Sequence, residues 1–183
     1  MILHNFDPIL IDFGLIQIRW YSLAYIFGIL IGWWYGKIIL VRQVSQSQSV
    51  YLSKFDDLIG YIIIGIIVGG RLGYVFVYNP AFYFDNILEI FKIWEGGMSF
   101  HGGLIGVALG AYIFSKKNNL NYKIYFDTIS AVAPIGIFLG RISNFIYSEL
   151  YGSPTQKAWG VIFPNIDSLP RHPSQIYEAL LEG

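Results

Sequence analysis

Four apolar stretches, each about as long as a bilayer is thick, constrain the fold of this chain more than any other feature. They cover residues 18–40, 58–78, 98–115 and 128–147, and a fifth begins at Pro173. A helix needs about 20 predominantly apolar residues to span the hydrocarbon core. The sequence therefore predicts an all-α polytopic membrane protein with four transmembrane helices and the start of a fifth.

The composition agrees with this fold class. Hydrophobic residues make up 55% of the chain and charged residues only 13%, so polar side chains cannot cover a soluble surface. No soluble domain separates the apolar stretches, and residues 1–183 are predicted to form a single membrane domain. We expect this domain to be a fragment with further helices downstream, because the fifth helix is too short to cross a membrane.

Charge and cysteine content exclude several classes of function. Twelve basic and twelve acidic residues give a formal net charge of zero, so nothing indicates a nucleic-acid partner. The absence of cysteine excludes disulfides, thiolate metal sites and a cysteine nucleophile. The three histidines lie far apart and form no ligand pair such as HExxH. We therefore predict no metal and no cofactor.

Basic residues in the connecting segments predict the orientation. The segments after the first and third stretches hold six of them, Lys37, Arg42, Lys54, Lys116, Lys117 and Lys123, whereas the alternate segments hold four. Because cytoplasmic loops are enriched in lysine and arginine, the N-terminus is expected outside. Residues 1–19 and 80–95 mix apolar with charged residues and are predicted to be interfacial segments.

This orientation brings polar groups of four helices to one depth near the outer face. They are Trp20, Tyr21, Arg71, Tyr74, His101, Arg141, Asn144 and Glu149. An ionisable group in a membrane is costly, about 2.5–3.5 kcal/mol for a central arginine, and usually marks a functional path. Two arginines, a histidine and a carboxylate suit an anionic headgroup.

Structural alternatives remain open for several of these residues. Arg71 could snorkel to the interface or pair with an acid. His101 could be a hydrogen-bonded helix entrance, and Glu149 could balance Arg141 in an ion pair. Arg141 and Asn144 are spaced i, i+3 and share a helix face, which favours a functional role for both.

Glycines recur every four residues along the apolar stretches. They include Gly28, Gly32, Gly36, Gly65, Gly69, Gly73, Gly102, Gly106, Gly110, Gly136 and Gly140. This spacing places them on one helix face, where a neighbouring backbone can approach closely. Gly102 and Gly103 also adjoin His101 at a helix entrance, where they could present backbone N–H groups to an anion.

The ordered motifs resemble those of the prolipoprotein diacylglyceryl transferase family over essentially the whole chain. The matching segments are Phe6-Asp7-Pro8, Arg19-Trp20-Tyr21, Gly69-Gly70-Arg71-Leu72-Gly73-Tyr74, Gly96-Gly97-Met98-Ser99-Phe100-His101-Gly102-Gly103-Leu104, residues 140–152 and Arg171-His172-Pro173-Ser174-Gln175. Two positions depart from the family's signature, which usually has glycine in place of Ser143 and asparagine in place of Tyr147.

The resemblance implies a reaction and its partners. A diacylglyceryl group of phosphatidylglycerol is transferred to the thiol of a lipobox cysteine in a prolipoprotein signal peptide, which forms a thioether and releases glycerol phosphate. The implied location is the bacterial inner membrane, multi-pass, with the active site facing outward. Family members continue beyond this length with another functional arginine, so the chain by itself is expected not to turn over.

The resemblance also implies the site residues. Tyr21, His101 and Arg141 are expected to be catalytic. The expected substrate-binding residues are Arg71, Tyr74, Gly102, Gly103, Arg141, Asn144, Glu149 and Gly152. His101 could take the thiol proton or orient the headgroup.

A membrane carrier or channel for an anion or lipid headgroup is the alternative function. A transporter would show polar residues continuing to the inner face, or paired repeats with interrupted helices. The sequence shows neither feature.

Overall fold

The computed structural model describes residues 2–14, 17–44 and 49–183, most of which are helical. The helices are α1 (Trp20–Gln43), α2 (Val50–Ser53), α3 (Phe55–Val77), α4 (Pro80–Asp85), α5 (Phe100–Lys117), α6 (Tyr122–Ile146) and α7 (Ser174–Glu182). Two 3₁₀ turns, Ile87–Phe91 and Ile93–Glu95, follow α4. The four predicted stretches correspond to α1, α3, α5 and α6, and the fifth corresponds to α7.

Three helices in the described part of the chain, α1, α3 and α6, are long and apolar enough to cross a membrane. Helix α5 has 18 residues and carries Lys116 and Lys117 in its last turn; it is not one of these three. The prediction of a helical membrane protein is confirmed, with three spanning candidates where four were predicted.

Within the residues that the structure describes, five short strands accompany the helices, and none of them was predicted. They are β1 (Ile2–Leu3), β2 (Ile9–Asp12), β3 (Gln17–Arg19), β4 (Val161–Ile162) and β5 (Pro170–Arg171). Strand β4 pairs in parallel with β1 and antiparallel with β5, while β2 and β3 form an antiparallel pair. Each has two to four residues, too few for an alternating pattern to be recognised.

The chain divides into two compact units. Met1–Gly36 and Ile129–Gly183 form one, which we call the terminal unit, and Lys37–Thr128 form the other, the central unit. The unit boundaries lie within α1 and α6.

In the central unit, α3 and α5 pack backbone against backbone. A Cβ atom added to Gly106 would overlap the carbonyl oxygen of Gly65, and one added to Gly69 would overlap that of Gly102. Only glycine allows this approach, as the four-residue spacing predicted. We call this glycine contact between α3 and α5 the seam. Outside the seam, buried aromatic rings form the core of the central unit, and the Tyr125 hydroxyl donates to the Tyr51 carbonyl at 3.0 Å.

In the terminal unit, α1 and α6 pack less closely than α3 and α5. A Cβ atom on Gly28 would lie 3.5 Å from the Gly136 Cα, which is ordinary van der Waals contact. The three-stranded sheet covers a small aromatic core around Phe163, which is fully buried. Helix α7 buries Gln175 and Ala179. Side chains of α1, α6, α7 and the loop after α6 form the terminal unit's part of the candidate site.

Candidate active site

Tyr21, Asn144 and Glu149 form a hydrogen-bonded cluster in the terminal unit. The Asn144 amide Nδ2 donates to the Tyr21 hydroxyl at 3.2 Å and to Glu149 Oε2 at 3.0 Å. Asn144 is buried, whereas Glu149 is exposed. The structure thus brings together three predicted site residues, and the carboxylate orients the amide between two oxygen atoms.

A tight turn after α6 presents Glu149. Ser148 and Leu150, on either side of it, have φ values of 58° and 52°, the left-handed region that costs a non-glycine residue about 1–2 kcal/mol. The Glu149 backbone N–H donates to the Asn144 carbonyl at 2.9 Å and closes the turn. The backbone therefore fixes the position of Glu149 relative to Asn144.

Arg141 is paired with carboxylates of α7. Its Nη2 lies 2.8 Å from Glu178 Oε2 and 3.5 Å from Glu182 Oε2. Within residues 2–14, 17–44 and 49–183, Arg141 makes no ion pair with Glu149. The sequence left open an ion pair between Arg141 and Glu149. In the structure Arg141 instead pairs with carboxylates of α7. A sequence signal existed, because Glu178 and Glu182 are spaced i, i+4 on one helix face.

Helix α7 also anchors the turn that carries Glu149. Gln175 Nε2 donates to the Glu149 carbonyl at 2.6 Å, and Ser174 Oγ donates to the Leu150 carbonyl at 2.7 Å. Both donors belong to the segment after Pro173, which is the N-cap of α7 rather than its first residue. Gln175 was not among the predicted site residues, since a buried amide that holds a distant backbone leaves no local pattern in the sequence.

Gly152 lies beneath the segment that leads into α7. Its N–H donates to the His172 carbonyl at 3.0 Å, and a Cβ there would lie 2.7 Å from that oxygen. Arg171 Nη1 donates to the Gly152 carbonyl at 3.2 Å. The Arg171 guanidinium also binds Asp167, and this interaction lowers the pKa of the Asp167 carboxyl and raises that of Arg171. Gly152 is thus required by packing.

Arg71, in the central unit, is a buried cation bonded to backbone carbonyls. Its Nε donates to Ile90 at 2.8 Å, Nη2 to Glu89 at 2.6 Å, and Nη1 to Gly96 at 2.5 Å and Gly97 at 3.2 Å. Arginine has five N–H donors, so these four bonds leave little for a ligand. The guanidinium fastens residues 86–97, which overlap the predicted interfacial segment of residues 80–95, to α3.

The other central-unit candidates lie near the start of α5. His101 has an exposed ring that contacts Phe100. The Gly102 N–H donates to Ser99 Oγ at 3.2 Å, and the Gly103 N–H donates to the Ser99 carbonyl at 2.9 Å. These two N–H groups, considered for an anion, therefore have helix-capping partners.

Tyr74 completes the predicted set. Its ring stacks on Tyr78 with a centroid distance of 5.4 Å and meets Tyr83 edge-on at 6.3 Å. The Arg71 guanidinium in turn lies over the Tyr83 ring, with its Cζ 5.2 Å from the ring centroid. Tyr74 thus belongs to the aromatic surroundings of Arg71.

No group of three or more acidic or histidine side chains in the described residues is arranged to hold a metal ion.

Comparison with known proteins agrees with the sequence motifs. The family model for prolipoprotein diacylglyceryl transferase matches residues 8–183. The protein of Rickettsia typhi named phosphatidylglycerol–prolipoprotein diacylglyceryl transferase is 52% identical over 183 residues, which are 100% of this chain and 70% of the relative. Its namesake in Methylocella silvestris is 51% identical over 179 residues, 97% of this chain and 66% of the relative.

A third relative of the same name, from Rickettsia felis, is 51% identical over 179 residues, 98% of this chain and 68% of the relative. The chain spans about two thirds of the length of the curated relatives it matches. The matched region contains all the residues of the Tyr21 cluster and of the Arg141 ion pairs. The chain therefore belongs to the prolipoprotein diacylglyceryl transferase family, the transferases of lipoprotein biosynthesis.

Proposed function

We propose that the protein transfers a diacylglyceryl group from phosphatidylglycerol to the cysteine thiol of a prolipoprotein lipobox. The relatives' names supply the two substrate classes. The absence of cysteine from the chain fits a nucleophile that arrives on the substrate. The carrier or channel alternative is not favoured, because the matched family is one of transferases.

The arrangement of Arg141 carries this proposal. In the described part of the chain both of its ion pairs are made by Nη2, so the donors on Nε and Nη1 remain for a ligand. Glu178, at 2.8 Å, orients the guanidinium, while Glu182, at 3.5 Å and with a side chain 53% exposed, is a weak pair that an anion can displace. A phosphate has the geometry to accept hydrogen bonds from two of these remaining N–H groups.

The chemistry that we propose is a displacement at the glyceryl carbon bonded to the phosphate. The cysteine reacts as the thiolate, its proton passing to His101 or to water. Its sulfur forms a C–S bond as the C–O bond breaks, and the bonding electrons leave with the phosphate of glycerol phosphate. Arg141 stabilises the charge that develops on the leaving phosphate. Both N–H groups of the Asn144 amide have partners, so Asn144 contacts the substrate by exchanging its 3.2 Å bond to the Tyr21 hydroxyl for one to the ligand, while Glu149 keeps the amide oriented. Tyr21 supplies a hydroxyl beside it.

The central-unit residues have proposed roles of a different kind. His101, with its exposed ring, takes the thiol proton or orients the headgroup. Gly102 and Gly103 allow the start of α5 to approach the headgroup closely. For Arg71 and Tyr74 a substrate contact remains a prediction, and the contacts that Arg71 makes favour its holding residues 86–97 in place.

We also propose a topology. Helix α5 spans the membrane together with α1, α3 and α6, α7 begins a fifth span, and residues 1–183 act as one membrane domain of the bacterial inner membrane. The N-terminus and the site face outward. A cysteine introduced at Asn118 then resists an impermeant thiol reagent in intact cells, whereas one at Thr155 reacts, and the reverse pattern would reject this orientation.

The test of the function uses the full-length protein in membranes, with labelled phosphatidylglycerol and a lipobox peptide. The expected product is a peptide thioether, with one glycerol phosphate released per thioether. Labelled lipid that crosses the membrane without thioether formation would instead support the carrier.

A further inference from the structure

His4 is a buried histidine that the proposed reaction does not use. It is 4% exposed, and its ring lies among Phe6, Phe145 and Phe163 with centroid distances of 5.3, 5.1 and 5.0 Å. Its backbone N–H donates to the Ile162 carbonyl at 2.9 Å, next to the β1–β4 pair. The ring is therefore held on three sides by aromatic groups and fixed in place by the sheet.

The imidazole contacts the Ser148 side chain and also interacts with the Phe145 backbone. His4 Nδ1 lies 3.3 Å from Ser148 Oγ, and both side chains are buried. The other ring nitrogen, Nε2, is buried without a hydrogen-bond partner among the described residues. Burying a polar group is unfavourable unless it is hydrogen-bonded, and for Nδ1 the Ser148 hydroxyl is the side-chain partner.

Ser148 is also one of the two strained residues, with Leu150, of the turn that presents Glu149. Its φ of 58° is unfavourable for a residue with a Cβ atom, and such conformations persist only where the surroundings over-determine them. The hydrogen bond to His4 ties the Ser148 side chain to the aromatic core. The adjoining residue, Glu149, accepts from Asn144 at 3.0 Å.

We infer that His4 is a positioning residue, which holds Ser148 in its left-handed conformation and thereby keeps the Glu149 carboxylate on Asn144. This inference rests on the proposed function, in which Asn144 contacts the substrate. His4 itself touches no substrate and acts through Ser148. The segment between β1 and β2 thus determines the geometry of a turn 144 residues away along the chain.

The experiment is a double-mutant cycle in the full-length protein, with kcat and KM for phosphatidylglycerol measured separately. His4→Leu removes the hydrogen bond at similar volume, and Ser148→Gly removes the strain, because glycine adopts positive φ freely. We expect His4→Leu alone to lower kcat about 10-fold with KM little changed. In the Ser148→Gly background, the same His4→Leu change should alter kcat less than about 2-fold.

Two further variants keep the test decisive if His4→Leu does not fold. His4→Asn places a polar atom where Nδ1 stood, and it should restore most of kcat. Ser148→Ala retains the strain without the hydroxyl, so it should have a lower kcat than Ser148→Gly. Equal kcat for the Ala and Gly variants would overturn the inference.

The remaining outcomes separate this inference from the proposed function. If the His4→Leu and Ser148→Gly effects on kcat simply multiply, His4 only fills the core and the inference is wrong. If the unmodified full-length protein forms no thioether, the proposed function fails before the cycle begins. A protein that turns over with an additive cycle retains its proposed function and loses only the role of His4.

Discussion

Arg71 and Arg141 both lie in long apolar helices, yet their guanidinium groups have opposite surroundings. Arg71 is 5% exposed and is bonded to four backbone carbonyls of residues 89–97. Arg141 is more exposed and is paired with the side chains of Glu178 and Glu182 on α7. The first cation is held by neutral groups that cannot move independently, and the second by charged groups that can.

This difference separates an architectural cation from one that can bind a ligand. The hydrogen bonds from Arg71 to the carbonyls of residues 89–97 break only if that segment unfolds. The guanidinium would then be buried without partners, which is costly. A carboxylate on an exposed side chain can rotate into water at little cost, which frees donors of Arg141 for a phosphate. Helix packing differs between the units as well: α3 and α5 of the central unit meet backbone to backbone, whereas α1 and α6 are at ordinary van der Waals distance where Gly28 meets Gly136.

The largest effect is expected at Arg141. Arg141→Lys retains the charge but loses the planar fork that binds a phosphate through two donors. We expect kcat/KM for thioether formation in the full-length protein to fall about 100-fold or more, with the thermal midpoint of unfolding little changed. Glu182→Gln, which removes the weaker pair, is the matched control and should change kcat/KM less than about 3-fold. Full activity of Arg141→Lys would reject the phosphate clamp.

The next effect concerns the backbone packing of α3 and α5. Gly106→Ala adds a methyl group that overlaps the Gly65 carbonyl, and overpacking of this kind costs about 1–3 kcal/mol. Gly136→Ala is the control in the terminal unit, because its Cβ meets no atom within 4 Å and the residue is helical. In detergent, the free energy of unfolding should fall for Gly106→Ala and stay unchanged for Gly136→Ala. Equal stability would mean that the seam is looser than described.

Arg71→Lys is expected to have a smaller effect, and of a structural kind. An ammonium has three donors and cannot reach four carbonyls, so about 1–2 kcal/mol of stability should be lost. The loss should be local, with faster hydrogen exchange in residues 86–97. KM for phosphatidylglycerol should stay within about 2-fold. A raised KM with unchanged exchange would instead support the substrate contact that the sequence predicted.

The smallest effect is a pH dependence of stability from His4. Burial lowers the pKa of His4 below its ordinary value of 6.5, so the unfolded chain binds this proton more readily than the folded one. The contribution of His4 to the free energy of unfolding is therefore complete above pH 6.5, and it is lost as the pH falls through the folded pKa. Denaturant unfolding at pH 7.5 and pH 5 should reveal the loss. His4→Asn should reduce the difference between the two pH values, and an unchanged difference would assign it to other groups.

The helices were predictable because hydropathy and length determine them locally. The stretch predicted over residues 58–78 is α3, Phe55–Val77, and that over 128–147 is α6, Tyr122–Ile146. The strands were not predictable, since β1 consists of two residues and its partner β4 lies near residue 161. A pairing over that distance leaves no local pattern in so short a segment.

The sequence predicted which residues belong to the candidate site better than it predicted which groups they contact. Asn144 and Glu149 lie together because they are only five positions apart, across the end of one helix. The partners of Arg141 lie on α7: the i, i+4 spacing of Glu178 and Glu182 indicates a shared helix face, but their distance along the chain does not identify Arg141 as their partner. The partners of Arg71 are carbonyls, which every residue carries, so no choice of side chain could indicate them.

The close approach of α3 and α5 also bears on how a lipid could reach a site in this protein. Two backbones in direct contact leave no gap into which an acyl chain can insert, along the whole run from Gly65 and Gly106 to Gly73 and Gly102. Opening this seam would expose helix backbone to hydrocarbon without side chains to fill the space. The two helices should therefore move as one rigid pair, and a two-tailed substrate must approach through a different face of the protein.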